Sequence, residues 1–238
     1  MRRAAVFGAG GGIGAALGRA LAADLVYDEV WLGARSALPE QAASQVRTFC
    51  FDSDDEPSLA AAAALIGGEL DLVFVATGLL HREGIPLPEK SYRSLDPAAM
   101  AELYRANAIG PAMIAKHFLP LLPRSRRAVF AVLSAKVGSI GDNRLGGWHS
   151  YRAAKTALNM LVANFAIELK RSHSQAVVAA LHPGTVDTPL SAPFQRGLPP
   201  GQVTPPDATA AALLGTLAQL TPDQSGGLYA WDGTRLPW

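Results

Sequence analysis

Residues 4–14 read AAVFGAGGGIG, a short apolar run followed at once by a loop with five glycines. The apolar run predicts a strand, and the glycines allow a tight turn into a helix that begins near Gly12. Glycine lets backbone N–H groups approach a pyrophosphate closely, and the N-terminus of a helix adds partial positive charge. A strand, a glycine loop and a helix in this order predict the first unit of a nucleotide-binding fold.

Short apolar runs and helix-like segments alternate along the rest of the chain. Further strands are predicted at residues 30–33, 46–51, 70–76, 128–133, 176–181 and 228–231. Helices are predicted at residues 12–25, 57–66 and 149–171, and two more begin at Asp96 and, with a capping-box pattern, at residues 204–207. This alternation predicts an α/β fold: a single Rossmann-type domain over residues 1–238, with a doubly wound parallel sheet and helices on both faces.

The composition of the chain limits the classes of function. Of 238 residues, 49% are hydrophobic and 17% charged, and the net charge of +1 gives no preference for nucleic acid or an anionic membrane. The single cysteine, Cys50, excludes an intrachain disulfide and is expected to be a small buried residue. The five histidines lack metal-site spacing, so no metal is expected. No apolar run reaches the ~20 residues that span a bilayer, and a cytoplasmic location fits these features.

Tyr151 and Lys155 stand four residues apart at the start of the helix predicted at residues 149–171. Residues at i and i+4 are neighbours on one helix face, so the spacing brings an ammonium group near a phenol. A free tyrosine, with a pKa of about 10, is a poor acid or base at neutral pH, and a nearby positive charge lowers that pKa. The pair therefore predicts a tyrosine that takes part in acid–base chemistry.

Two motifs together resemble the short-chain dehydrogenase/reductase family. The spacing Gly8-x-x-x-Gly12-x-Gly14 is similar to the family's T-G-x-x-x-G-x-G, and Tyr151-x-x-x-Lys155 is similar to its catalytic pair. The resemblance covers essentially the whole chain and is greatest to the C-factor-like carbonyl reductase branch. It implies reduction of a small-molecule aldehyde, ketone or quinone, with Tyr151 as proton donor and Lys155 binding the nicotinamide ribose. It also implies cofactor contacts from Gly8, Gly10, Gly11, Gly12, Ile13 and Gly14.

The end of the second strand indicates which nicotinamide cofactor is used. An NAD enzyme would carry an acidic residue there for the ribose 2′-hydroxyl, but this chain has Arg35 and Ser36. A guanidinium suits a 2′-phosphate through charged hydrogen bonds, so NADP(H) is expected to be preferred over NAD(H). The resemblance implies that Asp52 contacts the adenine and that Gly78 gives the cofactor close access to the backbone. The family's asparagines before that glycine are absent here, where residues 75–78 read VATG.

Asn107 resembles the family's catalytic asparagine that kinks its helix, in the segment YRANAIGP at residues 104–111. Pro111 has no N–H, so the carbonyl of Asn107, four residues earlier, loses its helical partner. That carbonyl must bind another donor, and water is the natural choice. The resemblance implies a proton relay that runs through a water at this carbonyl to Lys155.

The catalytic serine has two candidates in the segment LSAKVGSI at residues 133–140. The family commonly has two serines before two residues and a glycine, and the second serine is catalytic, but here the second position is Ala135. Ser134 is favoured, because strand ends hold side chains firmly over a site. Ser139, just beyond the glycine, is the alternative, and the connection to Tyr151 is longer than usual.

After the sixth strand, residues 183–188 read PGTVDT, which is similar to the family's P-G-x-V-x-T. The resemblance implies that this loop holds the nicotinamide carboxamide through Pro183, Gly184, Val186 and Thr188. The proline-rich segment at residues 189–206 is too long for a tight connection and is predicted to be the substrate lid.

A non-catalytic protein on the same fold is the rival interpretation, since fold does not determine function. The C-factor-like branch includes proteins linked to intercellular signalling, so a dinucleotide-sensing or signalling role is the alternative to catalysis. Loss of Tyr151 or Lys155 would favour that role, and both residues are present. The resemblance also implies self-association as a homodimer or homotetramer.

Overall fold

A central sheet dominates the computed structural model, which describes residues 1–39, 43–82, 84 and 87–238. The strands are β1 (Arg3–Phe7), β2 (Glu29–Ala34), β3 (Val46–Cys50), β4 (Leu72–Val75), β5 (Ala128–Leu133), β6 (Ala176–His182), β7 (Thr185–Val186), β8 (Val203–Thr204), β9 (Leu228–Ala230) and β10 (Arg235–Leu236). The eight-stranded sheet has the order β10-β9-β6-β5-β4-β1-β2-β3, and β7 and β8 form a separate pair. Neighbours in the large sheet run parallel, apart from β10, which is antiparallel to β9. The order reverses between β1 and β4, so a crevice for ligands is expected at the carboxyl ends of these strands.

Helices cover both faces of the sheet. They are α1 (Gly12–Ala23), α2 (Glu56–Ile66), α3 (Pro97–Tyr104), α4 (Gly110–Phe118), α5 (His149–Leu169) and α6 (Pro206–Gln219), and a π-helical turn (Arg105–Ile109) joins α3 to α4. On one face, α1 and α6 pack on the strands through the fully buried Leu17 and Leu213. On the other face, α2, α4 and α5 pack through Leu59, Ile114 and Leu158. The predicted doubly wound α/β sheet is confirmed.

An aromatic cluster fixes the strands at the edge of this crevice. The ring of Phe7, at the end of β1, lies 5.3 Å from Phe49, 4.9 Å from Phe51 and 4.6 Å from Phe118, each in an edge-to-face arrangement. Such pairs contribute about 0.5–1.5 kcal/mol each beyond the area that they bury. The cluster therefore holds β1, β3 and α4 together next to the glycine loop.

Two sequence predictions of local structure are wrong. Cys50, expected to be buried, is exposed, because β3 is an edge strand with a neighbour on one side only. The capping box predicted at residues 204–207 does not form, since Thr204 belongs to β8 and α6 begins at Pro206 without a side-chain cap. The other predicted helix start is confirmed: Asp96 accepts a hydrogen bond from the N–H of Ala99 at 2.7 Å.

Candidate active site

The glycine loop lies at the carboxyl end of β1 and brings the backbone close to its neighbours. Gly8 has φ +88°, which a residue with a side chain rarely adopts, and its N–H donates to the carbonyl of Gly33 at 2.9 Å. A Cβ atom at Gly14 would lie 2.1 Å from the carbonyl oxygen of Gly8, and one at Gly12 would lie 2.6 Å from Cγ2 of Thr188. Glycine is therefore required here, and it lets the segment that contains Thr188 contact the start of α1.

A cavity of about 860 Å³ opens beside this loop. Its lining includes the predicted cofactor residues Gly8, Gly10, Gly11, Arg35, Ser36, Asp52 and Gly78. The volume lies within the ~300–1,000 Å³ typical of small-molecule sites. The hydroxyl of Thr77, in the same lining, is buried without a hydrogen-bond partner in the part of the chain that the structure describes. Because buried polar groups are nearly always paired, an unpaired hydroxyl in a glycine-lined cavity fits a polar ligand such as a dinucleotide.

The structure also shows the local contacts of Asp52 and of the predicted cofactor residues outside this lining. Ile13 packs against the apolar core beneath α1. The carboxylate of Asp52 accepts the N–H of Asp54 at 3.0 Å, so it shapes its own turn at the cavity wall. The loop that follows β6 places Pro183 and Gly184 before β7, Val186 in β7 and Thr188 against Gly12.

Tyr151 and Lys155 lie together on the first turns of α5. Their exposed fractions are 8% and 2%. The Nζ atom of Lys155 is 5.8 Å from the centre of the Tyr151 ring and donates to the carbonyl of Leu133 at 2.9 Å. Gly138, in the turn after β5, allows this helix to approach, since a Cβ atom there would lie 2.8 Å from Cβ of Lys155. The proximity predicted from the four-residue spacing is confirmed.

Burial determines the pKa of both groups. Removal from water raises the pKa of the Tyr151 phenol above its ordinary value and lowers the pKa of the Lys155 ammonium to about 7. The expected lowering of the Tyr151 pKa by Lys155 is not found, because desolvation penalises the phenolate and also disfavours the lysine charge. The Tyr151 phenol is therefore protonated at neutral pH, and the raised pKa makes it a weaker acid than a free tyrosine.

Asn107 holds the chain that follows β4. It is fully buried, its Nδ2 donates to the carbonyls of Leu79 at 2.7 Å and Leu103 at 3.0 Å, and its Oδ1 accepts the N–H of Leu79 at 3.1 Å. The predicted helix distortion is present as the π-helical turn, in which the N–H of Gly110 bonds to the carbonyl of Arg105. Such turns are frequent at functional sites.

Gly78 joins the cavity to the polar groups of α5 and the π-helical turn. A Cβ atom at Gly78 would lie 3.3 Å from Oδ1 of Asn107 and 3.6 Å from Nζ of Lys155. Gly78 itself lines the cavity. Gly78 therefore lies between the cavity and the ammonium group of Lys155.

Comparison with known proteins identifies the family that the sequence motifs resemble. Residues 2–198 match the family described as short chain dehydrogenase. The chain belongs to this family. It is 35% identical over 184 residues to 1-hydroxy-2-glutathionyl-2-methyl-3-butene dehydrogenase of Rhodococcus sp. strain AD45, over 76% of this chain and 74% of that one. This short-chain dehydrogenase is thus an oxidoreductase.

Two further proteins resemble this chain, one in sequence and one in fold. The C-signal of Myxococcus xanthus is 32% identical over 144 residues, which cover 60% of this chain and 81% of that protein. The crystal structure of NADPH-bound carbonyl reductase from chicken fatty liver matches with a TM-score of 0.83 at 24% identity, over 100% of this chain and 94% of that one. The structural likeness agrees with the fold described above.

In this short-chain dehydrogenase, Ser134 directly follows strand β5 and forms a hydrogen bond within the protein. Ser134 is buried, and its hydroxyl donates to Oδ1 of Asn159 at 2.6 Å. A hydroxyl carries one hydrogen, so in this arrangement Ser134 does not also donate to a substrate oxygen. Ala135 packs against the apolar cluster that contains Tyr151, and the alternative, Ser139, is buried and accepts the N–H of a neighbouring loop residue. The choice between Ser134 and Ser139 as the catalytic serine stays a prediction.

Replacing Ser134 with alanine is expected to lower thermal stability more than turnover. The change leaves the buried Oδ1 of Asn159 without its donor, and an unpaired buried acceptor costs about 1–3 kcal/mol. Thermal unfolding and turnover of Ser134→Ala, measured beside Ser139→Ala, test this. A loss of turnover above ~10²-fold with an unchanged melting temperature would show that Ser134 contacts the substrate oxygen.

Phe194 and Trp148, which the sequence did not indicate, form with His81 a series of ring contacts that reaches Tyr151. The ring of Phe194, in residues 189–206, lies 4.9 Å from Trp148 and 5.6 Å from His81. Trp148 lies 6.3 Å from the Tyr151 ring, and Nε2 of His81 is 3.0 Å from the carbonyl oxygen of Leu190. These residues come from three separate segments, so no local pattern could have brought them together.

The described residues contain neither a membrane-spanning helix nor a metal-binding cluster. None of the helices there is long and apolar enough to cross a membrane. No group of three or more His, Cys, Asp or Glu side chains among those residues is arranged to hold a metal ion.

Proposed function

We propose that this protein is an NADPH-dependent reductase that converts an aldehyde, ketone or quinone into an alcohol. The observation that carries the proposal is the junction at Gly78, where a cavity of dinucleotide size meets Lys155 beside Tyr151. The likeness to a carbonyl reductase that binds NADPH supports the same assignment.

The residues of the cavity have separate tasks in this proposal. When bound, a nicotinamide cofactor would supply the hydride. The glycine loop and the N-terminus of α1 would hold its pyrophosphate, because backbone N–H groups and the helix dipole favour an anion there. Arg35 would hold the 2′-phosphate, Lys155 the nicotinamide ribose, and the loop at residues 183–188 the carboxamide.

Side chains and backbone groups of the protein donate the proton, bind a relay water and exclude bulk water. Tyr151 donates its proton to the oxygen of the substrate, and its buried phenol is protonated at neutral pH. Asn107 fixes the backbone at Leu79, and its carbonyl holds a relay water that leads to Lys155. The apolar wall above Tyr151 keeps bulk water away from the reacting carbon. No substrate contact is assigned to Ser134.

A turnover assay tests the proposal. Purified protein is mixed with NADPH and a panel of aldehydes, ketones and quinones, and loss of NADPH absorbance is followed. We expect turnover with at least one carbonyl compound and the matching alcohol as product. Absence of turnover with the whole panel, and with alcohols and NADP⁺ in the reverse direction, would contradict the assignment.

Similarity to C-signal supports a second candidate function, a dinucleotide-dependent signalling protein. This function predicts tight binding of a nicotinamide cofactor without carbonyl turnover. Measuring cofactor affinity together with the turnover panel therefore separates the two functions.

Arg35 is expected to determine the cofactor preference. The unmodified protein should bind NADPH more tightly than NADH, and Arg35→Asp should reverse that order, because a carboxylate repels the 2′-phosphate and suits a ribose hydroxyl. Loss of charged hydrogen bonds of ~1.5–3 kcal/mol corresponds to a weakening of NADPH binding by roughly 10–100-fold. Dissociation constants for both cofactors are measured by calorimetry.

Arg47→Asp is the matched control, since it makes the same charge change at an exposed position of strand β3. It should leave the ratio of the two dissociation constants unchanged. Equal affinity of the unmodified protein for NADPH and NADH would show that Arg35 makes no such contact.

A further inference from the structure

The turn before Tyr151 has an unusual backbone. Among the described residues other than glycine, Trp148 alone has a positive φ, with φ 50° and ψ 40°. Gly146 and Gly147 precede it with φ of +63° and +65°, and α5 begins at the next residue. A left-handed conformation at a bulky residue is strained and persists only when surrounding contacts hold it.

Glu89 supplies the contacts that hold this turn. Its carbonyl oxygen accepts the N–H of Trp148 at 2.5 Å. Its carboxylate accepts the N–H of Ser150 at 3.3 Å and also the hydroxyl hydrogen of Ser150. Glu89 is 8% exposed and Ser150 is fully buried. A Cβ atom at Gly147 would lie 3.4 Å from the Glu89 carbonyl oxygen, so the two segments are in close contact.

The carboxylate of Glu89 caps α5 from a distant part of the sequence. The first N–H groups of a helix have no partner within the helix, and a first turn without a cap frays. Trp148 has no side-chain cap for α5, and the N–H of Ser150 bonds to Glu89 instead, across 61 residues. A negative charge at this end also suits the helix dipole. Tyr151 follows Ser150 directly, so its position depends on the same cap.

We propose that Glu89 is a positioning residue for the reduction, which fixes the turn before α5 and thereby the Tyr151 hydroxyl and the Trp148 ring. The proposal rests on the function proposed above. A proton donor must lie within hydrogen-bond reach of the substrate oxygen, and a displacement of about 1 Å can reduce turnover ~10²-fold. The same turn sets the wall of the site, because Trp148 contacts both Tyr151 and Phe194.

Three substitutions test this role. Glu89→Gln keeps the size of the side chain but removes its charge and one acceptor, Glu89→Ala removes the cap, and Ser150→Ala removes the hydroxyl partner. We expect Glu89→Ala to lower kcat roughly 10–100-fold and to leave the Kd for NADPH within about twofold of that of the unmodified protein. The kcat of Glu89→Gln should lie between those of Glu89→Ala and the unmodified protein. Glu168→Ala, at an exposed position near the other end of α5, is the control and should keep kcat.

A double-mutant cycle separates positioning from general destabilisation. If Glu89 acts through Ser150, adding Ser150→Ala to Glu89→Ala should lower kcat no further, because residues that act as a unit are not additive. Losses that multiply in the double variant, or a folded Glu89→Ala protein with kcat within about threefold of the unmodified enzyme, would overturn the proposal. If Glu89→Ala does not fold, Glu89→Gln and Ser150→Ala form the cycle.

Hydrogen exchange provides a measurement that needs no substrate. Glu89→Gln should speed amide exchange in peptides that cover residues 148–152 and leave residues 158–169 unchanged, because the cap acts on the first turn. Faster exchange in a protein that reduces no carbonyl compound would refute the proposed function but would support the role of Glu89 as the cap of α5. Unchanged exchange and unchanged kcat in an active Glu89→Gln enzyme would refute the positioning role alone.

Discussion

Replacing Tyr151 with phenylalanine is expected to reduce carbonyl turnover by ~10²–10⁴-fold, the range over which a general acid contributes. The change removes one hydroxyl from a buried site and keeps the ring that packs against the neighbouring apolar cluster. Binding of NADPH should therefore stay within about twofold of that of the unmodified protein, a shift of less than about 0.5 kcal/mol. Steady-state turnover and calorimetric cofactor binding measure the two effects separately.

Tyr92→Phe is the control for this experiment, since Tyr92 is 65% exposed and the same atom is deleted there. It should leave both quantities unchanged. If Tyr151→Phe kept more than about a tenth of the turnover, the proton would come from another group and the assigned role would be wrong.

Replacing Lys155 with methionine is expected to abolish most turnover and to weaken NADPH binding, and yet to stabilise the protein without cofactor at neutral and acidic pH. Methionine has nearly the same length, but it brings no charge into a site where the lysine is 2% exposed. The gain in stability is the removal of a desolvation penalty that the hydrogen bond to Leu133 offsets only in part.

The pH dependence of this stabilisation follows from the pKa of Lys155. Burial lowers that pKa from 10.5 in the unfolded chain to about 7 in the folded protein. Below pH ~7 both states are protonated and the folded protein bears the full penalty; between the two pKa values the unfolded chain binds more protons, so stability of the unmodified protein rises with pH. The advantage of Lys155→Met should thus be largest below pH ~7, shrink through this window and vanish above it.

Denaturant unfolding at several pH values measures this difference. Lys170→Met, at an exposed position just after α5, is the control and should show no such trend. If the Lys155→Met protein were less stable than the unmodified one at pH 6, interactions of the ammonium group would outweigh the free-energy cost of its burial.

The sequence predicted the elements whose signals are local. The apolar run at residues 128–133 is strand β5 to the residue, and the four-residue spacing of Tyr151 and Lys155 does place them together. The kink near Asn107, expected from the resemblance of this segment to the family, is present as the π-helical turn. Each of these inferences needs only a few neighbouring residues.

The misplaced predictions concern properties that depend on topology. Whether Cys50 is covered depends on β3 being an edge strand, and this strand order is set by packing between distant segments. Which serine faces the substrate stays a prediction, since in the structure Ser134 bonds to Asn159 and Ala135 packs near Tyr151. The pKa of Tyr151 depends on burial by residues from several segments, which outweighs the nearby lysine. NADPH preference stays a prediction until the two cofactors are compared.

The pairing of β7 with β8 makes residues 189–206 a loop with both ends fixed. Thr185–Val186 bonds to Val203–Thr204, Thr188 lies against Gly12, and Arg19 of α1 pairs with Asp207 at 2.5 Å just after the loop. The entropy of closing a loop depends on its free length, which here is only the tip that carries Phe194. A change in the length of that tip is therefore expected to alter the surroundings of Tyr151 and to leave the cavity beside the glycine loop in place, so the two regions can vary independently.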